Sequence, residues 1–297
     1  MIPEHLRVLY RGPLSSCNYG CDYCPFAKHH ESNEEHAHDE ACLERFLAWA
    51  EAWPGALSVF FTPWGEALVQ PRYQRALQRL TKLPHLRRAA IQTNLSARLD
   101  FIDGCEVSKL GLWATFHPEW TTRARFLERV RAVHSRGVSL SVGAVGFPKY
   151  AAEIAALRAE VPAGVYVWVN AVKELASTYT ELELDAFRAV DPLFDFNLRA
   201  HDSLGQRCAG GHTVISVDGR GDARSCHFLK PVLGNVYAPD FAAALAPRTC
   251  SAEKCGCHIG YVHLEPLGLD RVFGDGILER VPLGPEAAKR LRAARIS

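Results

Sequence analysis

Cys17-Asn18-Tyr19-Gly20-Cys21-Asp22-Tyr23-Cys24 is the stretch on which the reading of this chain turns. Its three thiols fall at the spacing C-x3-C-x2-C, close enough to surround one small inorganic cluster, and Gly20 gives the loop the freedom to curl. Three sulfurs are one fewer than a cuboidal iron–sulfur cluster needs, so one iron is left open to a small molecule. Zinc is the competing reading of clustered thiols, but it usually takes four protein ligands in paired C-x2-C sets.

Around this loop, short β-branched and apolar segments alternate with segments of helical period up to about residue 190. The strand candidates are Leu6 to Tyr10, Leu57 to Thr62, Arg88 to Thr93, Leu110 to Phe116, Ser139 to Val145 and Val165 to Val172. Between them lie helix candidates at Asp39 to Trp53, Arg72 to Leu80, Thr122 to Arg136 and Tyr150 to Val161, with apolar residues three and four apart. Such alternation implies parallel strands joined by right-handed helical crossovers. Six β/α units make an α/β partial (β/α)6 TIM-like barrel, whose site belongs at the carboxyl ends of the strands. Those ends are polar: the cysteine loop after the first strand, Pro63-Trp64-Gly65-Glu66 after the second, Thr93-Asn94 after the third, His117 after the fourth and Asn170 in the sixth.

From about residue 200 the pattern changes. His212 to Val217, a turn at Asp218-Gly219 and Arg220 to Cys226 read as a β-hairpin. The chain is therefore divided into a barrel over 1–195 and a small α+β unit over 196–297, with a last helix expected at Pro285 to Arg295.

Composition bounds what this fold does. The chain has 297 residues, 48% of them apolar, and 34 lysines and arginines against 33 aspartates and glutamates. No bulk charge points to nucleic acid or an anionic membrane. No signal peptide and no membrane-spanning run is present, so a cytoplasmic location is expected. The ten cysteines cluster at 17–24 and 208–257, which favours metal binding over disulfides. Cys42 and Cys105 stand apart and read as core packing. His29, His30, His36 and His38, beside Glu34 and Glu35, read as a charged loop after the third cysteine that is solvated or orders on binding, rather than as a metal site, with a cover over the active site as a further reading.

The loop Cys17 to Cys24 after a first strand resembles the radical S-adenosylmethionine (SAM) enzyme superfamily. The resemblance implies a [4Fe–4S] cluster on Cys17, Cys21 and Cys24, with SAM on the open iron. It implies cleavage of SAM to a 5′-deoxyadenosyl radical, which takes hydrogen from a substrate. Tyr23 matches the family's aromatic between the second and third cysteines. Gly65-Glu66 is similar to the glycine-glycine-glutamate element that binds the SAM ammonium, with Trp64 in place of the first glycine, and Thr93-Asn94 matches the threonine-asparagine after the third strand. Two readings fit His117: a contact to SAM or substrate and hence the candidate catalytic residue, or a structural histidine before Pro118. The same two fit Asn170.

The run from Cys208 through Gly221 to Cys226 (C-x12-G-x4-C), followed by Cys250-x4-Cys255-x-Cys257, resembles the family's twitch or SPASM extension. This implies one auxiliary [4Fe–4S] cluster with Cys208, Cys226 and two of Cys250, Cys255 and Cys257 as ligands, and one thiol spare.

The resemblance further implies a flavodoxin or ferredoxin-like electron donor and an oxidoreductase or maturase working anaerobically on a peptide or amino-acid-derived substrate. The alternatives are a radical dehydrogenase of a small metabolite and a non-catalytic iron–sulfur electron carrier or sensor. With 16 residues ahead of Cys17, a leader-binding domain within the chain is not expected. A peptide substrate would then call for a separate recruiting partner.

Overall fold

The computed structural model describes residues 2–26, 30–176 and 178–284. Six strands, β1 (His5–Arg11), β2 (Ala56–Phe61), β3 (Leu86–Thr93), β4 (Leu110–Phe116), β5 (Ser139–Val145) and β6 (Tyr166–Asn170), pair in chain order and in parallel. Helices α1 (Asn33–Ala52), α2 (Pro71–Thr81), α3 (Arg123–His134) and α4 (Ala151–Glu160) supply crossovers, and α5 (Glu181–Val190) follows β6. Strands such as β2 and β4 are buried almost throughout because both faces are covered, which is why they read as unbroken apolar runs.

The hairpin lies where the sequence places it, as β7 (Val214–Asp218) and β8 (Asp222–Arg224), with β9 (Val232–Asn235) added beside β8. The glycine of the C-x12-G-x4-C motif, Gly221, sits in the turn with φ +87°, and a Cβ there would lie 2.2 Å from the Tyr237 ring. β7 runs parallel to β1, pairing Arg7 with Val214 and Tyr10 with Val217. One nine-stranded sheet results, in the order β9-β8-β7-β1-β2-β3-β4-β5-β6. The hairpin thus continues the barrel's own sheet, and residue 195 falls inside a short helix at Phe194–Leu198.

The inner face of the sheet converges. Leu9, Phe60, Ala90, Trp113 and Trp168, from five strands, form one buried cluster with residues 259–278 of the C-terminal segment. Gly143 on β5 makes room: a Cβ there would lie 2.1 Å from the Trp168 ring. The open barrel is therefore filled from within by the chain's own later part, while a larger apolar cluster joins the outer face to the helices.

The sequence expectation is corrected at α1, which begins at Asn33 rather than Asp39. Ser32 caps it, accepting from Glu35 N at 3.2 Å while the Glu35 carboxylate accepts from Ser32 N at 2.7 Å. His36 and His38 are thus helical. His29 and the helix expected at Pro285 to Arg295 lie outside the described residues.

Candidate active site

The cysteine loop is held from three sides. Glu31, whose side chain is 3% exposed, accepts from Ser15 N at 2.6 Å, Ser15 Oγ at 3.1 Å and Ser16 Oγ at 2.8 Å. Asp39, fully buried in α1, accepts from Leu14 N at 3.2 Å, Arg72 Nε at 2.6 Å and the Tyr73 hydroxyl at 2.9 Å. From β2, Trp64 N donates to Leu14 O and Glu66 N to Ser16 O, both at 3.1 Å. The chains run so close that a Cβ on Gly65 would lie 1.8 Å from Ser16 O. Trp64 turns outward, with the Arg11 guanidinium 4.0 Å from its ring centre and the Phe26 ring 4.6 Å away.

Cys17, Cys21 and Cys24 open into a cleft of about 740 Å³ at the strand ends, which Tyr23, Gly65, Glu66, Thr93, Asn94, His117 and Asn170 also line. Every front-site residue singled out from the sequence therefore meets there. Glu66 is buried, and its carboxylate accepts from Thr93 Oγ1 at 2.7 Å, Asn94 N at 2.5 Å and Leu68 N at 3.3 Å. Burial pushes its carboxyl up to about 7 against the pull of those hydrogen bonds. The Asn94 side chain is committed to the loop: Nδ2 donates to Asn18 Oδ1 at 2.9 Å, and Oδ1 accepts from Ser96 N and Oγ. Asn94 thereby ties β3 to the residue after the first cysteine.

His117 Nδ1 lies 2.6 Å from the Tyr23 hydroxyl and 3.5 Å from Cys21 Sγ. Burial lowers its pKa to about 4, so the ring is neutral at pH 7. Across the cleft, Asn170 Oδ1 accepts from Arg280 Nη1 at 3.1 Å. Arg280 is 1% exposed, pairs with buried Asp191 at 3.6 Å and has its guanidinium 5.0 Å from the Trp168 ring centre. Beyond β6, Lys173 also lines the cleft; the residue is exposed, but partial desolvation of its ammonium against the cleft wall lowers its pKa to about 8.

A second cavity, about 310 Å³, gathers all five late cysteines: Cys208, Cys226, Cys250, Cys255 and Cys257. Two short antiparallel pairings bring them together, Arg207–Cys208 with Arg248–Thr249 and Lys254–Cys255 with His201–Asp202. Burial, reinforced by the neighbouring thiols, pushes Cys226 up to about 11 and Cys255 to about 12. A Cβ on Gly260 would stand 2.9 Å from Cys255 Sγ, and Gly210 N donates to Cys208 Sγ at 3.4 Å. Cys257 differs: it is exposed, yet burial is the largest cause of its raised pKa, as for a thiol on a cavity wall. The cations acting on it are Arg11, Lys173 and Arg280, two of them beside the front cleft. His227, next to Cys226, reaches Thr62 Oγ1 at the end of β2 at 2.7 Å and joins the two regions.

Among the described residues no three His, Cys, Asp or Glu side chains are placed to hold a metal ion. A multi-iron cluster is ringed by its ligands rather than converged upon. The donor sets suit such a group: several thiols about each cavity, backbone N–H groups on sulfur (Tyr19 N to Cys17 Sγ at 3.4 Å), and room that a side chain at Gly260 would remove.

Several residues that do this work were not singled out from the sequence. Lys173 follows β6 and was open to the same strand-end rule that found His117. Glu31 and Asp39 act through contacts distant in sequence that no local pattern announces.

No family model matches the chain, and no curated protein matches it. Solved structures that match it include a polyhistidine-tagged anSMEcpe with bound AdoMet, at 15% identity and TM-score 0.48, covering 78% of this chain and 77% of that one. Native anSMEcpe with bound AdoMet and Cp18Cys peptide matches at 16% identity and TM-score 0.48, with the same coverage. BtrN in complex with AdoMet and 2-DOIA matches at 14% identity and TM-score 0.40, covering 82% of this chain and 86% of that one. The functional reading rests on the site's own residues.

Proposed function

We propose that this chain is a radical SAM enzyme, with Cys17, Cys21 and Cys24 holding a [4Fe–4S] cluster whose open iron takes SAM. The observation that carries the reading is the convergence of those three thiols with Glu66, Thr93, Asn94 and His117 on one cleft. When bound, the cluster and SAM supply a one-electron cleavage that makes a hydrogen-abstracting 5′-deoxyadenosyl radical. The chain's own residues bind and orient. Glu66, held by Thr93 and the Asn94 backbone, offers a carboxylate to the SAM ammonium, and that cation favours its charged form. Neutral His117 and Tyr23 form an uncharged wall beside Cys21. Cys208, Cys226 and two of the other three late cysteines hold one auxiliary [4Fe–4S] cluster, within the unit we assign to residues 196–297. The electron donor is flavodoxin or ferredoxin-like, and the substrate is peptide or amino-acid-derived.

The test is anaerobic reconstitution of the full chain with iron and sulfide, followed by dithionite and SAM. 5′-Deoxyadenosine is expected, and none in a Cys17→Ala, Cys21→Ala, Cys24→Ala triple variant; no difference between the two sinks the reading. Iron should reach about eight per chain for two cubanes. About four, unchanged in Cys208→Ala, Cys226→Ala, removes the auxiliary cluster.

A further inference from the structure

We infer that the β6 side of the cleft binds an anionic oxygen group, a carboxylate or phosphate carried by the substrate, through Lys173 and the side-chain amide of Asn170 with Arg280 behind it. The inference rests on reading the β1–β3 side as the SAM site.

Lys173 lines the cleft as an exposed residue, and its ammonium has no hydrogen bond or ion pair to any described residue. The groups acting on it are Cys257, Arg280 and the exposed Glu174. The second element is Asn170. Arg280 has only donors to offer, so the Asn170 atom 3.1 Å from its Nη1 is the amide oxygen. That leaves the amide N–H groups, which have no partner among the described residues, for the cleft that Asn170 lines. Arg280 is held in place by Asp191 and by Trp113 and Trp168, and its buried Nε has no partner among the described residues.

These residues present N–H donors to the cleft, and the carboxylate that lines it beside them, Glu174, is exposed. Donors outnumber acceptors there, which favours a carboxylate or phosphate, served by donors alone, over a hydroxyl or amide ligand, which needs both. The cysteine loop follows β1 and Glu66 follows β2, five and four strand positions away from β6 in the sheet. The anion is accordingly assigned to the substrate rather than to the methionyl end of SAM.

The test uses the anaerobically reconstituted full chain, acetylated under limiting reagent, with each lysine followed by mass spectrometry. The probes are glutarate, its neutral diamide glutaramide, inorganic phosphate and SAM, each alone. Glutarate or phosphate should slow acetylation of Lys173 about threefold at twice its dissociation constant. Lys254, exposed and paired with Asp202, should be unaffected, and glutaramide should do nothing. Protection by glutarate alone identifies a carboxylate and by phosphate alone a phosphoryl group; both leave the site an anion site. Asn170→Asp, which keeps the Arg280 contact but replaces the donors by a carboxylate, should abolish protection. The inference is overturned if neither anion protects, if glutaramide protects equally, if Asn170→Asp changes nothing, or if SAM alone protects as fully as the anions. None of these readouts needs SAM cleavage, so this inference and the radical reading fail separately.

Discussion

The two thiol regions are built in opposite ways. The front one takes its cysteines from a contiguous loop and sets them in an open cleft with Glu66, His117, Asn170 and Lys173. The rear one draws cysteines from positions 208 to 257 and encloses them among Leu9, Val214, Phe228, Leu229, Ile259 and Leu264. A polar, roomy site suits something that comes and goes and brings charge; an apolar cavity of less than half the volume suits a group held permanently. What separates the regions is less the thiols than what surrounds them.

Glycines give the sharpest way to break that comparison. At Gly65→Ala the new methyl meets the Ser16 backbone, which cannot yield without moving the cysteine loop, so the variant should lose the front cluster and keep the rear one. Gly260→Ala places a methyl on Cys255 Sγ and should do the reverse. Each variant should retain about four irons per chain. Only Gly65→Ala should lose all 5′-deoxyadenosine formation. Equal loss at both sites in either variant would show that the regions do not load independently.

The same contrast explains what could be read from the sequence. The front motif is contiguous, and β4 and β5 fell at their observed bounds because an apolar run between polar strand ends is a local signal. The hairpin was equally legible, from Asp218-Gly219 and the motif glycine Gly221. That β7 would lie against β1, making one sheet, was not: parallel pairing between residues 7 and 214 leaves no trace in either segment alone. The start of α1 was missed because Glu34, His36 and His38 look solvated, although Ser32-x-x-Glu35 was a capping box in plain view. Arg280 could not have been placed, since its partners Asp191 and Asn170 come from other elements.

Acid separates the regions next. His258 and His263 are buried and His227 half-buried around the rear cavity, and desolvation lowers the pKa of all three, His263 to about 3. Below the unfolded value of 6.5 the unfolded chain takes up protons that the folded one refuses. Stability is therefore lost as pH falls from 6.5 toward 3. For His263 alone the loss at pH 5 is about 2 kcal/mol, from about 1.36 kcal/mol per pH unit. Buried Glu66, with its raised pKa, gains stability over the same window, so the His263 contribution is read as a difference: the change in urea-unfolding free energy between pH 7 and pH 5 should differ between the parent and His263→Gln by about this amount. The same pH dependence in the parent and in His263→Gln would refute the assignment.

The front region has its own weak point in Glu31. Glu31→Ala removes its three bonds to Ser15 N, Ser15 Oγ and Ser16 Oγ, at a cost of about 1–3 kcal/mol. Front iron should bind more weakly while the rear cluster is unaffected.

Ser32→Ala is the smallest change and tests how the front loop is anchored. It removes the side-chain cap of α1, worth about 1 kcal/mol, but leaves Glu31 and its three bonds to Ser15 and Ser16 in place. If α1 matters to the cluster only through Asp39, which lies beyond its first turn, fraying that turn should lower stability without changing front iron or its reduction behaviour. If the cap also fixes Glu31, which immediately precedes it, Ser32→Ala should reproduce part of the Glu31→Ala loss of iron affinity. The buried Asp39 bonds to Leu14, Arg72 and Tyr73 favour the first outcome, because they hold the helix to the loop independently of its end. Denaturation midpoints and iron titrations of the two variants side by side decide it.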